Sequence, residues 1–201
     1  MGMKVIASVL ALAASVSISA HADEALKVGE TIPDVTVRTA EDKPLKLRDA
    51  VSSKPAVLIF YRGGWCPYCV THLQALIDIE KDLTKAGVQL LAISPDNPKA
   101  IAATPKGEKL TYQLLSDSKV EAAKAFGLTF KVPDELVEKY VKEYSIDIEA
   151  ASGEKHHLLP HPAVFVVDQK GKVSFAHINP NYKERLDAKK VLKAARDAVA
   201  P

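Results

Sequence analysis

The chain has 201 residues, 47% of them hydrophobic and 26% charged, with a formal net charge of +2. That composition suits one soluble domain. The near-balanced charge gives no footprint for nucleic acid or for a membrane surface.

The first stretch is unlike the rest. Lys4 precedes an apolar run from Val5 to Val16, and Ala20-His21-Ala22 fits a small-x-small cleavage rule. Residues 1–22 read as a secretory signal peptide, with a mature domain over 23–201 beginning near Asp23. A membrane anchor competes poorly, because the run is short for a bilayer and grades into serines. No twin arginine is present, so the general secretory route is expected, with no stable membrane anchor once the leader is gone. The expected location is the periplasm or outside the cell, an oxidising setting.

Residues 23–34 form a lead-in with turn markers at Gly29 and Pro33. Val35 to Val37 and Leu45 to Leu47 suggest an early hairpin, followed by a short connection from Arg48. Ala56 to Tyr61 is a short apolar run and reads as a buried strand. Arg62, Gly63 and Gly64 turn the chain into a helix from Pro67 to about Lys85, stopped by Gly87. Its expected inward residues are Val70, Leu73, Leu76, Ile77 and Leu83. Val88 to Ile93 follows as a strand, so 56–93 forms a parallel strand–helix–strand unit. Next come a modest helix ending near Gly107, a strand over 112–115, and a short helix over 120–126 stopped by Gly127. A helix over 133–144 has Leu136, Val137, Tyr140, Val141 and Tyr144 on its apolar side. Residues 145–161 look like loop. Ala163 to Val167 and Val173 to Ile178 make an antiparallel pair across Asp168–Gly171, and a terminal helix spans 186–199.

The chemistry centres on Cys66 and Cys69, the only cysteines. Cys66 stands at the start of a helix, with Pro67 just inside it. The free amides and the dipole of that helix end favour a thiolate there. Arg62 is close, and no acidic residue occurs from Tyr61 to Ile77. Two thiols at this spacing can close and reopen a disulfide. An inert staple and half of a zinc site are the competing readings. Zinc would need two more soft ligands, and there is no second CxxC. Arg62 could stabilise a thiolate or an oxygen, and Trp65 and Tyr68 could line a shallow groove.

Phe60-Tyr-Arg-Gly-Gly-Trp-Cys-Pro-Tyr-Cys69 resembles the cysteine stretch of bacterial peroxiredoxin-like proteins of the alkyl hydroperoxide reductase C / thiol-specific antioxidant (AhpC/TSA) family. Supporting stretches are Gly29 to Asp34, Ile93 to Asp96, Leu115 to Asp117, Ala125 to Gly127 and Phe165 to Gly171. The resemblance implies an α/β, thioredoxin-like fold: a central mixed sheet flanked by helices, with an N-terminal hairpin. It implies a thiol-dependent antioxidant oxidoreductase that reduces hydroperoxides and is itself re-reduced by a thioredoxin-like protein. No cofactor is called for. In the family's register Cys66 takes a threonine position and Cys69 that of the peroxidatic cysteine. Arg62 takes a proline position.

Pro162 stands where family peroxidases place an arginine, and resembles the cis-proline of thioredoxins, which docks an extended substrate. A periplasmic thiol–disulfide oxidoreductase attacking through Cys66 therefore stands beside the peroxidase reading, with Pro162 and Trp65 positioning its substrate. A third reading is metal handling, in which His72 or the loop histidines His156, His157 and His161 join the cysteines; solvated loop histidines and a surface His72 are the plainer alternative.

Overall fold

The computed structural model describes residues 24–104 and 111–200; the expected leader and the helix stop near Gly107 lie outside the described residues. The elements in chain order are β1 (Thr36–Arg38), β2 (Pro44–Lys46), α1 (Leu47–Ser53), β3 (Ala56–Phe60), α2 (Pro67–Lys85), β4 (Gln89–Ser94), α3 (Pro98–Ala103) and β5 (Gln113–Ser116). They continue as α4 (Glu121–Ala125), β6 (Thr129–Lys131), α5 (Asp134–Tyr144), α6 (Ile148–Ser152), β7 (Leu158–Pro160), β8 (Ala163–Val167), β9 (Val173–Ile178) and α7 (Ala188–Val199).

Seven strands form one mixed sheet in the order β2-β1-β5-β4-β3-β8-β9. β3 lies at its heart, parallel to β4 and antiparallel to β8, and all five of its residues are buried. That explains why it reads as an unbroken apolar run rather than an alternating one. Alternation still sets the two layers. Leu58 and Phe60 pack with Phe126, Phe165, Leu47 and Val51 on the face covered by α1 and α4. Val57, Ile59 and Tyr61 face the other way, onto Leu73, Leu76 and Leu83 of α2 and Val191 and Ala195 of α7. The two cysteines belong to this second cluster. The mixed sheet, flanking helices and N-terminal hairpin agree with the sequence-based architecture.

Several elements differ from the sequence reading. The connection after β2 is the helix α1. On α2, Ile79 and His72 are buried, while Val70 and Ile77 are only partly so. Residues 145–161 are not a plain loop. Asp147 caps α6 by accepting from Ala150 N at 2.8 Å, and Gly153 closes it in the left-handed region. β7 then pairs with β6 as a separate two-stranded ribbon. α5 buries Val137 but leaves Leu136, Val141 and Tyr144 exposed. The stretch from β6 to β7 thus folds as an insert with its own small core of Val132, Val137, Ile148 and Leu159, against which Trp65 packs.

Candidate active site

The turn between β3 and α2 builds the site. Gly63 adopts a φ of +151°, and a Cβ there would lie 2.2 Å from Trp65 Nε1 and 2.8 Å from Asp96 Oδ1, so only glycine fits. Gly64 N donates to Asp96 Oδ2 at 2.7 Å, and Ser94 Oγ donates to the same oxygen at 3.1 Å. Burial pushes the Asp96 carboxyl up to about 6, against the hydrogen bonds from Gly64, Ser94 and Trp65. The acid-free run from Tyr61 to Ile77 is therefore free of carboxylates in sequence only. Parallel pairing of β3 with β4 sets the ends of the two strands side by side and brings Asp96 against the turn.

Cys66 is the N-cap of α2 and Pro67 opens the helix, as expected. Both cysteines are free thiols and both are shut away from solvent: Cys66 is 2% exposed and Cys69 0%. Cys66 is only marginally the more accessible sulfur, because Trp65 and Leu186 pack against the cluster that holds both. Cys66 is nonetheless the more acidic. Hydrogen bonding from the Cys69 side chain and amide, with the Arg62 and Arg185 charges, outweighs burial and holds the Cys66 thiol below the ordinary range. Burial pushes Cys69 up, as do its hydrogen bond to Cys66 and the charge there; Arg185 and the Arg62 backbone oppose this. Negative charge on the reduced pair thus centres on Cys66.

Two guanidinium groups face that charge. Arg62 is buried, donates from Nη2 to Tyr140 Oη at 2.7 Å, and is enclosed by the rings of Tyr182 (4.3 Å), Trp65 (5.2 Å) and Tyr140 (5.9 Å). Arg185, from the segment between β9 and α7, places Nη2 3.3 Å from Cys69 Sγ. Sequence reasoning missed Arg185, and nothing around it offers a motif; it is one basic residue in a polar connection.

Pro162 is buried at the start of β8, and its carbonyl accepts from Asn179 N at 3.0 Å. The described residues contain no cis peptide bond, so the cis-proline expected at 162 is a trans residue. It follows the link from β7 to β8, where His161 N donates to Leu128 O at 2.8 Å. Pro162 shares a small cavity with Phe60, His72, His177 and Arg185. The guanidinium that family register seeks at 162 thus reaches the sulfurs from 185.

The histidines do not converge. His72 is buried, and burial with the nearby Arg185 pushes its imidazole down to about 4. His156 Nε2 lies 2.8 Å from Ser118 O, His157 sits between Asp134 and Glu149, and His161 stacks on Phe130. Among the described residues no group of three or more His, Cys, Asp or Glu side chains is arranged to hold a metal ion.

Comparison with known proteins identifies the family. The family model described as AhpC/TSA family matches residues 28–176, more than half of the chain. The chain is 28% identical over 188 residues to 1-Cys peroxiredoxin A of Oryza sativa subsp. japonica, covering 87% of this chain and 77% of that protein. It is 33% identical over 103 residues to the putative peroxiredoxin bcp of Haemophilus influenzae, covering 51% of this chain and 66% of that one. Against 1-Cys peroxiredoxin PER1 of Triticum aestivum the chain spans 65% of the relative's length. In fold it is similar to peroxidoxin BcpB of Mycobacterium tuberculosis, with a TM-score of 0.67 at 22% identity over 86% of this chain and 97% of that one. It is also similar to reduced Prx3 of Vibrio vulnificus crystallised with hydrogen peroxide, with a TM-score of 0.68 at 19% identity over 85% and 99%. The chain belongs to the AhpC/TSA family and is a peroxiredoxin-like oxidoreductase.

Proposed function

We propose that this protein reduces hydroperoxides through Cys66 and Cys69, cycling between dithiol and disulfide. The observation that carries the reading is the setting of Cys69. Its sulfur is closed off from bulk water and faces Arg185 Nη2 at 3.3 Å; Arg185 and the Arg62 backbone oppose the upward shift that burial and Cys66 impose on its thiol. A cation and an amide beside a reacting sulfur also stand beside the oxygens that it attacks, where negative charge grows as the O–O bond breaks. Cys69 passes its proton to Cys66, its hydrogen-bond partner, and attacks the terminal oxygen as the thiolate; an S–O bond forms, the O–O bond breaks, and the leaving oxygen takes that proton to become an alcohol or water. Cys66 then attacks the sulfenic sulfur, an S–S bond forms, and hydroxide leaves as water. A thioredoxin-like dithiol protein returns the pair to thiols.

The second reading is thiol–disulfide exchange started by Cys66, favoured by the greater acidity of that thiol. One experiment separates the two: rate constants of the reduced protein with hydrogen peroxide and with a small disulfide, measured on wild type, Cys69→Ser and Cys66→Ser. Peroxide reduction requires that Cys69→Ser lose peroxide consumption and that Cys66→Ser keep a first turnover ending in a sulfenic acid. Trapped mixed disulfides in Cys69→Ser, with no peroxide reactivity above that of free cysteine in any form, would sink the peroxidase reading. Export by way of residues 1–22 is part of the proposal; a native protein whose mass includes those residues would remove it.

A further inference from the structure

Helix α2 carries Cys69 and, three residues on, His72. That spacing puts the two side chains on one face, a turn apart. Both are buried. Beyond His72 the inward residues of the helix are apolar: Leu73, Leu76, Ile79 and Leu83. A histidine in that row is costly, because its Nε2 is buried with no hydrogen-bond partner. The Leu186 backbone bonds the ring and favours its protonated form, as a carbonyl accepting an N–H does. That N–H therefore belongs to Nδ1, and the lone pair of the neutral ring lies on Nε2.

His72 lines a small cavity together with Arg185, Leu186, Glu184 and His177. Arg185 brings a second unpartnered nitrogen to it, Nε, which can only donate. A lone pair and an N–H, each lacking what the other offers, thus share one cavity. The rest of the guanidinium is engaged elsewhere: Nη1 donates to Tyr182 O and Glu184 O, and Nη2 lies 3.3 Å from Cys69 Sγ. The Glu184 carboxylate is no rival for it, since its two oxygens accept from Asn179 Nδ2 at 3.1 Å and Asn181 Nδ2 at 2.8 Å. Burial, and then the charges of Arg185 and His177, disfavour protonation of the His72 ring. A neutral imidazole can take the guanidinium beside it, whereas an imidazolium in the same cavity would push it away.

We propose that His72 is a positioning residue: its neutral ring, seated on the helix that carries Cys69, receives the inner side of Arg185 and sets that guanidinium against the sulfur. The Leu186 carbonyl, one residue beyond Arg185, orients the ring. The ring thus acts on the acidity of the cysteine pair through Arg185. This role is the same whether the pair meets a peroxide or a disulfide.

The test is thiolate ultraviolet absorbance against pH on the reduced whole protein, with no oxidant added. Wild type is compared with His72→Phe, His72→Gln, Arg185→Met and the double variant His72→Phe/Arg185→Met. His72→Leu takes the place of His72→Phe throughout if the aromatic ring prevents folding. His72→Phe should raise the inflection by about one pH unit, as moving a nearby cation away does. The same change made in Arg185→Met should add nothing, because the effect passes through the guanidinium. His72→Gln keeps a neutral acceptor near the Nε2 position and should titrate like wild type. A structural role alone would lower stability in both backgrounds and leave the inflection where it was. A wild-type inflection in His72→Phe overturns the proposal, as does an equal added shift in the Arg185→Met background. So does an Arg185→Met protein that titrates like wild type, or a His72→Gln shift as large as that of His72→Phe. Reduced wild type that ignores hydrogen peroxide while the variants show these shifts removes the peroxidase reading and leaves the role of His72 standing.

Discussion

The guanidinium of Arg185 reaches Cys69 from 116 residues further along the chain, and with Arg62 it helps to hold the Cys66 thiol acidic. An opposite charge a few ångströms away shifts a titration by roughly one pH unit or more. Arg185→Met should therefore raise the inflection of the thiolate ultraviolet absorbance by about that much in the reduced protein. An unchanged titration would mean that the Cys69 hydrogen bonds and Arg62 set the acidity of Cys66 without Arg185. The cysteines, their helix-start placement and Arg62 were legible in sequence, because spacing, a proline at the first helical position and one nearby charge are local facts. Arg185 and Asp96 were not. Each reaches the site only through strand pairing or chain return, and neither lies in a pattern that local periodicity reveals. Pro162 was misread for the same reason: a proline ahead of an apolar strand does not disclose the state of its peptide bond.

The active-site turn depends on two strands ending together. β3 delivers Arg62, Gly63 and Gly64, and β4 delivers Asp96 to receive the Gly64 amide. Gly63→Ala puts a methyl group into Trp65 and Asp96 at a φ of +151°, which an L side chain rarely adopts. The expected result is a loss of more than about 1 kcal/mol of stability in denaturant titration, with peroxide turnover falling more than stability does, because the turn also sets the Cys66 end of α2. A variant as stable and as active as wild type would show that the turn has another conformation open to it. The long elements were read correctly from their apolar periods and glycine stops. α6, β6 and β7 were missed because five- and three-residue elements hold too few side chains to show a period.

Across the whole molecule, the insert from β6 to β7 leans on the redox turn through Tyr140, which bonds Arg62 and packs against Trp65. His157 fastens that insert. Its Nε2 lies 2.6 Å from Glu149 of α6 and its Nδ1 2.9 Å from Asp134 of α5, and only an imidazolium can donate to both. The Glu149 hydrogen bond first, then that of Asp134, raises the pKa of His157 above the ordinary histidine value. Because the folded-state pKa is raised, the clamp is fully present below the unfolded value of about 6.5 and is lost as pH rises through the higher folded value. Trp65 is the only tryptophan and reports on it. Its fluorescence should show a transition above pH 6.5 that is absent in His157→Gln. The Asp96 transition near 6 should stay in both proteins, since that carboxyl bonds the indole directly. Survival of the upper transition in His157→Gln would assign it to another group. The mixed sheet and its two helical layers were legible in sequence. The packing of an insert over the cysteines was not, since α5 shows apolar residues on both its buried and its exposed sides.

The family match ends at residue 176, while the arginine that faces Cys69 stands at 185. Part of what tunes reactivity is therefore written beyond the stretch that carries recognition. Proteins that share the stretch 28–176 but diverge just beyond it are expected to keep the same two sulfurs in the same sheet and helix, and to differ in how readily those sulfurs ionise. Within such a group, kinship read from the shared stretch and rate measured at the bench need not rank the members alike.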